Sequence, residues 1–327
     1  MSSIPYSRYL IRPVSWYSFL IMSGAVIAVI LACREERRSG LPKDTVIDLT
    51  LRILPCGIVG ARIYYIVFSW DQFRNDLSSV FRIWEGGLAI YGGIIAGLVV
   101  LILFSRKRHL FPLLLCDLIV PGLALAQSIG RWGNWFNIEA YGLKVSCQDF
   151  CFFPFAVQVP ADGYSWHLAT FFYESVWDML IFFFLLIARR RLFRHNGDAF
   201  FFYVFLYASG RLVIEELRMD SLYAASSVRI SQLLSIVLCL FILFRYAVLV
   251  LKYKHHFTFF SRLLLAAVCL YSLLALSYAF GFHVSFLQHA FHVVLFLSLY
   301  AVLLLVSLFT IYSLYLKMEV EDACNQN

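Results

Sequence analysis

The stretch FPLLLCDLIVPGLALAQSIGRWGNWFNIEAYG, residues 111–142, joins two kinds of sequence. Residues 111–128 are almost wholly apolar and approach the ~20 residues with which a helix crosses a bilayer. Residues 130–142 then interleave glycines, asparagines, an arginine and a glutamate with large aromatic side chains. Charges at membrane depth are costly and usually functional, although an interfacial aromatic belt around a turn is the plainer alternative. The stretch therefore predicts a membrane helix that leads into a glycine-rich turn and a polar site.

The composition of the whole chain supports a membrane class. The 327 residues are 61% hydrophobic and 14% charged, with a mean hydropathy of +0.78, whereas soluble domains contain about 25% charged residues. The formal charge of +7 does not indicate nucleic-acid binding, because the basic residues lie in short loops between apolar runs. We predict an all-α, polytopic membrane protein.

Apolar runs near the length of a membrane span recur from end to end. The predicted spans are 15–33, 46–69, 87–105, 111–128, 169–188, 199–217, 230–252, 262–280 and 288–316. The first seven define a predicted core in residues 1–250, whose main non-membrane part is the segment 129–168. The last two add a C-terminal hairpin and a short cytoplasmic tail in residues 251–327.

Lysine and arginine are concentrated in alternate loops. The loops after the third and fifth spans contain Arg106–Arg108, with a lysine between the arginines, and Arg189–Arg191, whereas the loops between them are poorer in basic residues. The positive-inside rule then places the basic loops in the cytoplasm, and the N-terminus and residues 130–142 on the outer side. Chemistry at that segment would meet exported substrates.

Five residues of this segment are suited to a polar site. Arg131 offers a planar fork of donors for a phosphate or a carboxylate. Asn134 and Asn137 can donate and accept hydrogen bonds, and Glu139 can hold the arginine or act as an acid or base. Gly142 allows the backbone to approach another group closely.

Two stretches in the N-terminal third, GIVGARIYYIVF and RIWEGGLAIYGGIIAG, add further candidates. Arg62 lies within a span, where it can reach towards the surface or bind a buried partner or a lipid phosphate. Gly92 belongs to a glycine cluster at a helix entry, which fits either an anion at the helix N-terminus or close helix packing. Tyr91 precedes this glycine, and an unperturbed tyrosine titrates near pH ~10.

Two stretches near span ends, ATFFYES and GRLVIEELRMDSL, contain the remaining charged candidates. Glu174 lies at the outer end of the fifth span and can pair with an arginine. Arg211 and Glu215 are four residues apart, and Arg218 follows three residues later on the same helical face. Such a ladder in a membrane helix indicates an internal polar site, with a purely structural salt-bridge ladder as the alternative.

These motifs resemble those of the prolipoprotein diacylglyceryl transferase family. The quoted segment is similar throughout to the family signature G-R-x-G-N-[FW]-x-N-x-E-x-[YFW]-G, and the resemblance, which includes Tyr17 of an early W-Y pair, covers about residues 15–250. Three positions depart from the family pattern. Tyr91 stands where many members have a histidine, Ala169 replaces a proline and Leu168 replaces another histidine.

The resemblance implies a reaction and its partners. The family transfers a diacylglyceryl group from phosphatidylglycerol to the lipobox cysteine of an exported prolipoprotein signal peptide, at the outer face of the bacterial plasma membrane. Glycerol 1-phosphate is released, and no cofactor, metal or nucleic acid is implied. The predicted site residues are Arg131, Arg211, Glu139 and Tyr91 for catalysis, and Tyr17, Arg62, Gly92, Asn134, Asn137, Gly142, Glu174, Glu215 and Arg218 for substrate binding.

Several alternatives stay open at this point. The base that takes the thiol proton is unassigned, with Tyr91, Tyr17 and Glu139 as candidates. A transporter of an anionic lipid or solute also uses arginines within the membrane, and a binding protein could retain the fold without the activity. Cys147 and Cys151 lie four residues apart on the predicted oxidising side and allow, but do not establish, a disulfide.

Overall fold

A computed structural model describes most of the N-terminal three quarters of the chain and a helix near its end. Long helices dominate the described part. The described residues are 9–11, 14–74, 76–145, 148–219, 223–225, 228–251, 301–302, 305–317 and 319–320.

The helices follow the apolar runs of the sequence closely. In chain order they are α1 (Trp16–Arg38), α2 (Thr45–Phe68), α3 (Trp70–Phe73), α4 (Ile90–Lys107), α5 (Pro112–Asn137), α6 (Thr170–Arg191), α7 (Asp198–Leu217), α8 (Ile230–Leu251) and α9 (Leu305–Lys317). Within the described ranges, six helices are long and apolar enough to cross a membrane, namely α1, α2, α4, α5, α6 and α8. An all-α membrane protein is therefore confirmed.

The predicted number of spans stays a prediction. Helix α7 coincides with the sixth predicted span but contains Asp198, Arg211, Glu215 and a further glutamate, which lower its hydropathy. The eighth predicted span, 262–280, and Cys147 lie outside the described residues. Only the later part of the ninth predicted span is described, where it forms α9.

The structure corrects the predicted turn after residue 128. Helix α5 continues through the signature to Asn137, and the turn comes only afterwards, where Ile138 and Ala140 adopt left-handed backbone angles with φ of 59° and 56°. Glycine weakens a helix by roughly 1 kcal/mol relative to alanine but does not end it. Gly133 serves close packing, since a Cβ there would lie 2.7 Å from Cδ2 of Tyr17.

Small antiparallel hairpins accompany the helices. Antiparallel β3 (Ala156–Val159) and β4 (Ser165–Leu168) pair from Ala156 with Leu168 to Val159 with Ser165. Two shorter hairpins are formed by β1 (Tyr9–Ile11) with β2 (Val14–Ser15), and by β5 (Tyr223–Ala225) with β6 (Val228–Arg229).

The chain divides into two compact units, which we call the first and second units. The first unit comprises Met1–Gly24, Ala124–Leu185 and Phe201–Asn327. One part of this unit has a core of Val157, Ala169 and Phe171, against which Trp132 and Trp135 pack. Farther along the chain, side chains of α9 join an aromatic cluster with those of α6, α7 and α8: Phe184, Phe202, Tyr246, Phe309, Tyr312 and Tyr315.

The second unit comprises Ala25–Leu123 and Leu186–Phe200. Helices α2 and α4 pack closely in it, because a Cβ at Gly92 would overlap the carbonyl oxygen of Gly60. This contact favours packing as the reason for the glycine. Asp117 is structural here, since its carboxylate accepts hydrogen bonds from the backbone N–H groups of Gly197 (2.5 Å) and Phe200 (2.8 Å).

Candidate functional site

A buried ion cluster in the first unit is centred on Glu174. Its Oε2 lies 2.9 Å from Nη1 of Arg131, whereas its Oε1 pairs with Nη1 of Arg211 and lies 3.3 Å from Nη1 of Arg218. Nη2 of Arg211 also lies 2.7 Å from Oε2 of Glu215. The structure thus brings together five of the predicted site residues, and a single carboxylate contacts three guanidinium groups.

Helix geometry explains how the cluster is built. Glu174 lies near the start of α6, and Arg131 lies near the end of α5. On α7, the spacing of four residues between Arg211 and Glu215 places the two side chains on one face, and Arg218 follows directly after the helix ends. Three helix ends therefore converge on one point.

Because these ion pairs are buried, they affect the stability of the fold as well as the binding of a ligand. The side chain of Glu174 is only 5% exposed, while those of Arg131 and Arg211 are about one-fifth exposed. Removing one partner of a buried ion pair typically costs about 3–5 kcal/mol, because the remaining charge loses its compensation. The partial exposure of both arginines leaves them accessible to an anionic ligand, and guanidinium groups bind phosphate with paired hydrogen bonds.

The residues after α5 form a tight connection around the end of the signature. Nδ2 of Asn137 donates to Oε1 of Glu139 at 3.2 Å. The backbone of Gly142 pairs with that of Arg218, and a Cβ at this glycine would lie 2.7 Å from the carbonyl oxygen of Leu217. Glycine is therefore required at position 142 by close backbone approach, which links the signature to the end of α7.

Two further predicted residues of the signature region lie near this connection. The hydroxyl of Tyr17 interacts electrostatically with Glu139 and Arg131, which brings one candidate base near the cluster. The backbone carbonyl of Asn134 accepts a hydrogen bond from the N–H of Glu139 at 3.1 Å. The asparagine therefore helps to close the turn through its main chain, and a role for its side chain in substrate binding stays a prediction.

Three predicted site residues, Arg62, Tyr91 and Gly92, belong to the second unit. Arg62 is buried and donates to the carbonyl oxygens of Ser79, Val80, Gly86 and Gly87 at 2.6–3.0 Å. These bonds hold the loop between α3 and α4, so that the arginine has a structural role beside its predicted substrate contact. Tyr91 is 42% exposed in the first turn of α4, and its ring lies 6.4 Å from that of Tyr64.

A cavity beside the ion cluster contains residues that the sequence analysis missed. It is lined by Arg131, Glu174 and Arg211 together with Trp177, Asp178 and Tyr207. The hydroxyl of Tyr207 accepts a hydrogen bond from Nη2 of Arg131 at 3.3 Å. Asp178 had a detectable signal, because it is a carboxylate within a predicted span and follows Glu174 by one helical turn.

The hairpin of β3 and β4 has a polar cluster of its own. Nδ1 of the buried His167 contacts the carbonyl oxygen of Gly142 at 2.9 Å, and its Nε2 lies 3.0 Å from Oδ2 of Asp162. Hydrogen bonds from Ser165 and His167, together with the nearby charge of Lys144, lower the pKa of the Asp162 carboxyl to about 2. His167 lies one residue before Leu168, the position at which the family pattern has a histidine, and it contacts the signature glycine.

The described residues contain no group of three or more histidine, cysteine, aspartate or glutamate side chains arranged to hold a metal ion. The geometry instead offers guanidinium groups, carboxylates and a tyrosine hydroxyl around one cavity. This set is suited to binding an anion and to stabilising charge that develops on it. The apolar helices around it make the chain an integral membrane protein.

Comparison with known proteins agrees with this geometry. The family model described as prolipoprotein diacylglyceryl transferase matches residues 8–248. Proteins named phosphatidylglycerol–prolipoprotein diacylglyceryl transferase are similar to this chain over most of their length. That of Lactobacillus gasseri is 41% identical over 231 residues, covering 69% of this chain and 82% of the relative. Those of Streptococcus mutans and Enterococcus faecalis are 42% and 43% identical, with 86% and 83% of the relatives covered. The chain belongs to the prolipoprotein diacylglyceryl transferase family.

Proposed function

We propose that the chain transfers the diacylglyceryl group of phosphatidylglycerol to the lipobox cysteine thiol of an exported prolipoprotein, and releases glycerol 1-phosphate. This is the first step of bacterial lipoprotein maturation. The observation that carries the proposal is the convergence of Arg131, Arg211 and Arg218 on Glu174 beside a cavity, in a chain of this family.

The arginines supply what a phosphodiester substrate requires. Arg131 and Arg211 both line the cavity, so that one bound phosphate can contact both guanidinium groups. Glu174 and Glu215 hold these groups in position before the lipid arrives. Because donors fixed in advance need not reorganise during the reaction, they stabilise developing charge more effectively than water does.

The proposed reaction is a substitution at a glyceryl carbon. The cysteine sulfur forms a bond to the carbon that carries the phosphate, while the carbon–oxygen bond breaks and its electron pair goes to the departing phosphate oxygen. The phosphodiester becomes a phosphomonoester, and the thiol proton passes to a base or to the leaving group. The thiolate is the stronger nucleophile, so proton removal favours the attack. The arginines assist most as the phosphate gains charge.

The residue that removes the proton remains to be assigned by experiment. Tyr17 and Glu139 interact electrostatically in the first unit, near Arg131. Tyr91 belongs to the second unit. It occupies the position at which many family members have a histidine. We retain all three as candidates, with Asn134, Asn137, Gly142 and Arg62 as proposed substrate-binding or positioning residues.

We also propose a place for the reaction. The distribution of basic loops supports a position of the signature end of α5 and the start of α6 at the outer face of the bacterial plasma membrane. A prolipoprotein signal peptide would meet the site there after export. The phosphatidylglycerol would enter from the surrounding bilayer, because the site lies at the ends of membrane-spanning helices.

The test is complementation in a bacterium depleted of its own transferase. A reporter prolipoprotein is followed by gel mobility and by the mass of its N-terminal peptide. The chain is expected to produce a diacylglyceryl adduct on the reporter cysteine, and Arg131→Ala is expected to lower its rate of formation by at least about 100-fold, as when a charge-stabilising donor is lost.

A matched control separates this loss from a general effect of removing an arginine. The side chain of Arg74 is exposed and pairs with Asp71 at 3.2 Å, and Arg74→Ala should retain activity close to that of the unchanged chain. Absence of the adduct with the unchanged chain, despite normal membrane insertion, would refute the transferase proposal. Equal activity of Arg131→Ala and Arg74→Ala would refute the assignment of the site.

A further inference from the structure

The cavity beside the arginines contains a buried carboxylate without a visible hydrogen-bond partner. Asp178 is 2% exposed, and its Oδ2 accepts no hydrogen bond from any residue that the structure describes. The side chain lines the cavity together with Arg131 and Arg211, with which it interacts electrostatically. An unsatisfied buried acceptor costs about 1–3 kcal/mol, and more when charged, so each such atom calls for an explanation.

The neighbouring cations do not supply that partner. Arg131 contacts Glu174 and Tyr207, and Arg211 contacts Glu174 and Glu215. Asp178 lies one turn after Glu174 in α6, closer to the middle of the helix. Guanidinium groups and a carboxylate oxygen without a hydrogen-bond partner among the described residues therefore line the same small cavity.

A ligand that satisfies both kinds of group must combine an anion with a hydrogen-bond donor. A phosphodiester that carries a polyol does so, since its phosphate can contact the arginines and a hydroxyl can donate to Oδ2 of Asp178. An ammonium group would also donate to the carboxylate, but Glu174 of the same cavity is already paired with Arg131 and Arg211, and these guanidinium groups repel a further cation. The chemistry of the cavity therefore selects a neutral hydroxyl.

We propose that Asp178 accepts a hydrogen bond from a headgroup hydroxyl of the phospholipid donor and thereby selects a glycerol-bearing phosphodiester. This inference rests on the proposed function and specifies which part of the donor lipid the cavity binds. Asp178 is then a specificity-determining residue, distinct from the arginines that bind the phosphate. Loss of a hydrogen bond to a charged acceptor predicts a preference of about 10- to 100-fold for the hydroxyl-bearing lipid.

The experiment compares two donor lipids with identical acyl chains, phosphatidylglycerol and phosphatidylpropanol, which lacks the headgroup hydroxyls. The full chain is purified in detergent, and each lipid competes with an acyl-labelled fluorescent phosphatidylglycerol for binding. Adduct formation on a lipobox peptide is measured in parallel. We expect the unchanged protein to prefer phosphatidylglycerol in both measurements. Asp178→Leu, which keeps the branching at Cγ but has no acceptor, should reduce this preference to less than about threefold.

Two variants separate recognition from packing. Asp178→Asn keeps an acceptor oxygen and should retain part of the preference. Trp177→Phe removes the hydrogen bond from Nε1 to the carbonyl oxygen of Leu206, 2.9 Å in length, and should weaken both lipids by a similar factor while preserving their ratio. The ratio therefore reports the hydroxyl contact rather than general damage to α6.

The outcomes are distinct for the two proposals. Equal binding of the two lipids to the unchanged protein, or an unaltered ratio in Asp178→Leu, would overturn the role of Asp178 and leave a structural carboxylate that contacts only cavity water. A preserved binding preference without any adduct would support the headgroup site and refute the transferase reaction. A preference in binding and turnover that Asp178→Leu abolishes would support both.

Discussion

Replacement of Glu174 by glutamine tests whether one carboxylate positions the three arginines. The variant keeps the size of the side chain but removes its charge and places an amide N–H₂ against at least one guanidinium group. In the structure, Oε2 contacts Arg131 at 2.9 Å, while Oε1 contacts Arg211 and Arg218. Glutamine can accept through one oxygen only, so it cannot reproduce this arrangement.

The contacts suggest the size of the effect. Removing one partner of a buried ion pair costs about 3–5 kcal/mol, and the three contacts are not additive because they share one carboxylate. If that cost falls on the geometry required for phosphate binding, kcat/KM should fall by roughly 150- to 5,000-fold, since 1.36 kcal/mol corresponds to a factor of ten. The rate of adduct formation on a lipobox peptide, at several concentrations of phosphatidylglycerol, measures this change.

Glu35→Gln is the matched control. Glu35 pairs with Arg189 at 3.2 Å and is 18% exposed, so the substitution also removes a glutamate from a partly buried pair, but within the second unit. Its kcat/KM should remain within about tenfold of that of the unchanged chain, consistent with a contribution of roughly 1 kcal/mol from a partly exposed pair. A thermal unfolding curve in detergent shows whether Glu174→Gln is folded. Adduct formation by a folded Glu174→Gln variant within threefold of the unchanged chain would refute the shared-carboxylate reasoning.

Two further predictions concern packing and pH. Gly92→Ala should destabilise the protein by about 1–3 kcal/mol, because its Cβ would overlap the backbone of α2. The control is Gly86→Ala, whose Cβ would meet nothing within 4 Å but whose φ is +97°. Comparison of the two unfolding temperatures separates backbone strain from helix overlap. An unchanged unfolding temperature for Gly92→Ala would contradict the close approach. Asp162 has its pKa lowered to about 2 in the folded protein, from about 3.9 in an unfolded chain, so its stabilisation of the hairpin is present above pH ~4 and is lost as the pH falls through about 2. Pepsin cleavage within residues 156–168 should therefore rise more steeply between pH 4 and pH 2 in the unchanged chain than in Asp162→Asn; parallel profiles would contradict the coupling.

The order of the membrane helices could be predicted because each apolar run is a local property of the chain. Helices α2 (Thr45–Phe68) and α6 (Thr170–Arg191) begin and end within a few residues of the predicted spans. The end of α5 was predicted too early, at residue 128 instead of Asn137, because glycines and polar residues resemble a turn in sequence. Packing against Tyr17 explains the glycine at position 133 within the helix.

The candidate site was predictable in its members but less so in its contacts. Arg211 and Glu215 could be paired from their spacing on one helix, and they do pair. Glu174 was also expected to pair with an arginine, and it does. Its simultaneous contact with three arginines could not be predicted, because these contacts depend on how α5, α6 and α7 pack. Arg62 illustrates the same limit, because its binding to four backbone carbonyls depends on a loop whose path the sequence does not reveal.

Composition and local motifs are enough to indicate a helical membrane protein of this family, because hydropathy, helix periodicity and a signature such as that of residues 130–142 are properties of neighbouring residues. The assembly of the ion cluster and the exposure of an uncommitted oxygen of Asp178 to its cavity depend on how helices pack. A shift of one helix along its neighbour by a single turn changes which side chains meet. The energy of a buried charge in turn depends on the atoms within a few ångströms of it. Folding therefore converts a recognisable set of residues into a specific arrangement of charges.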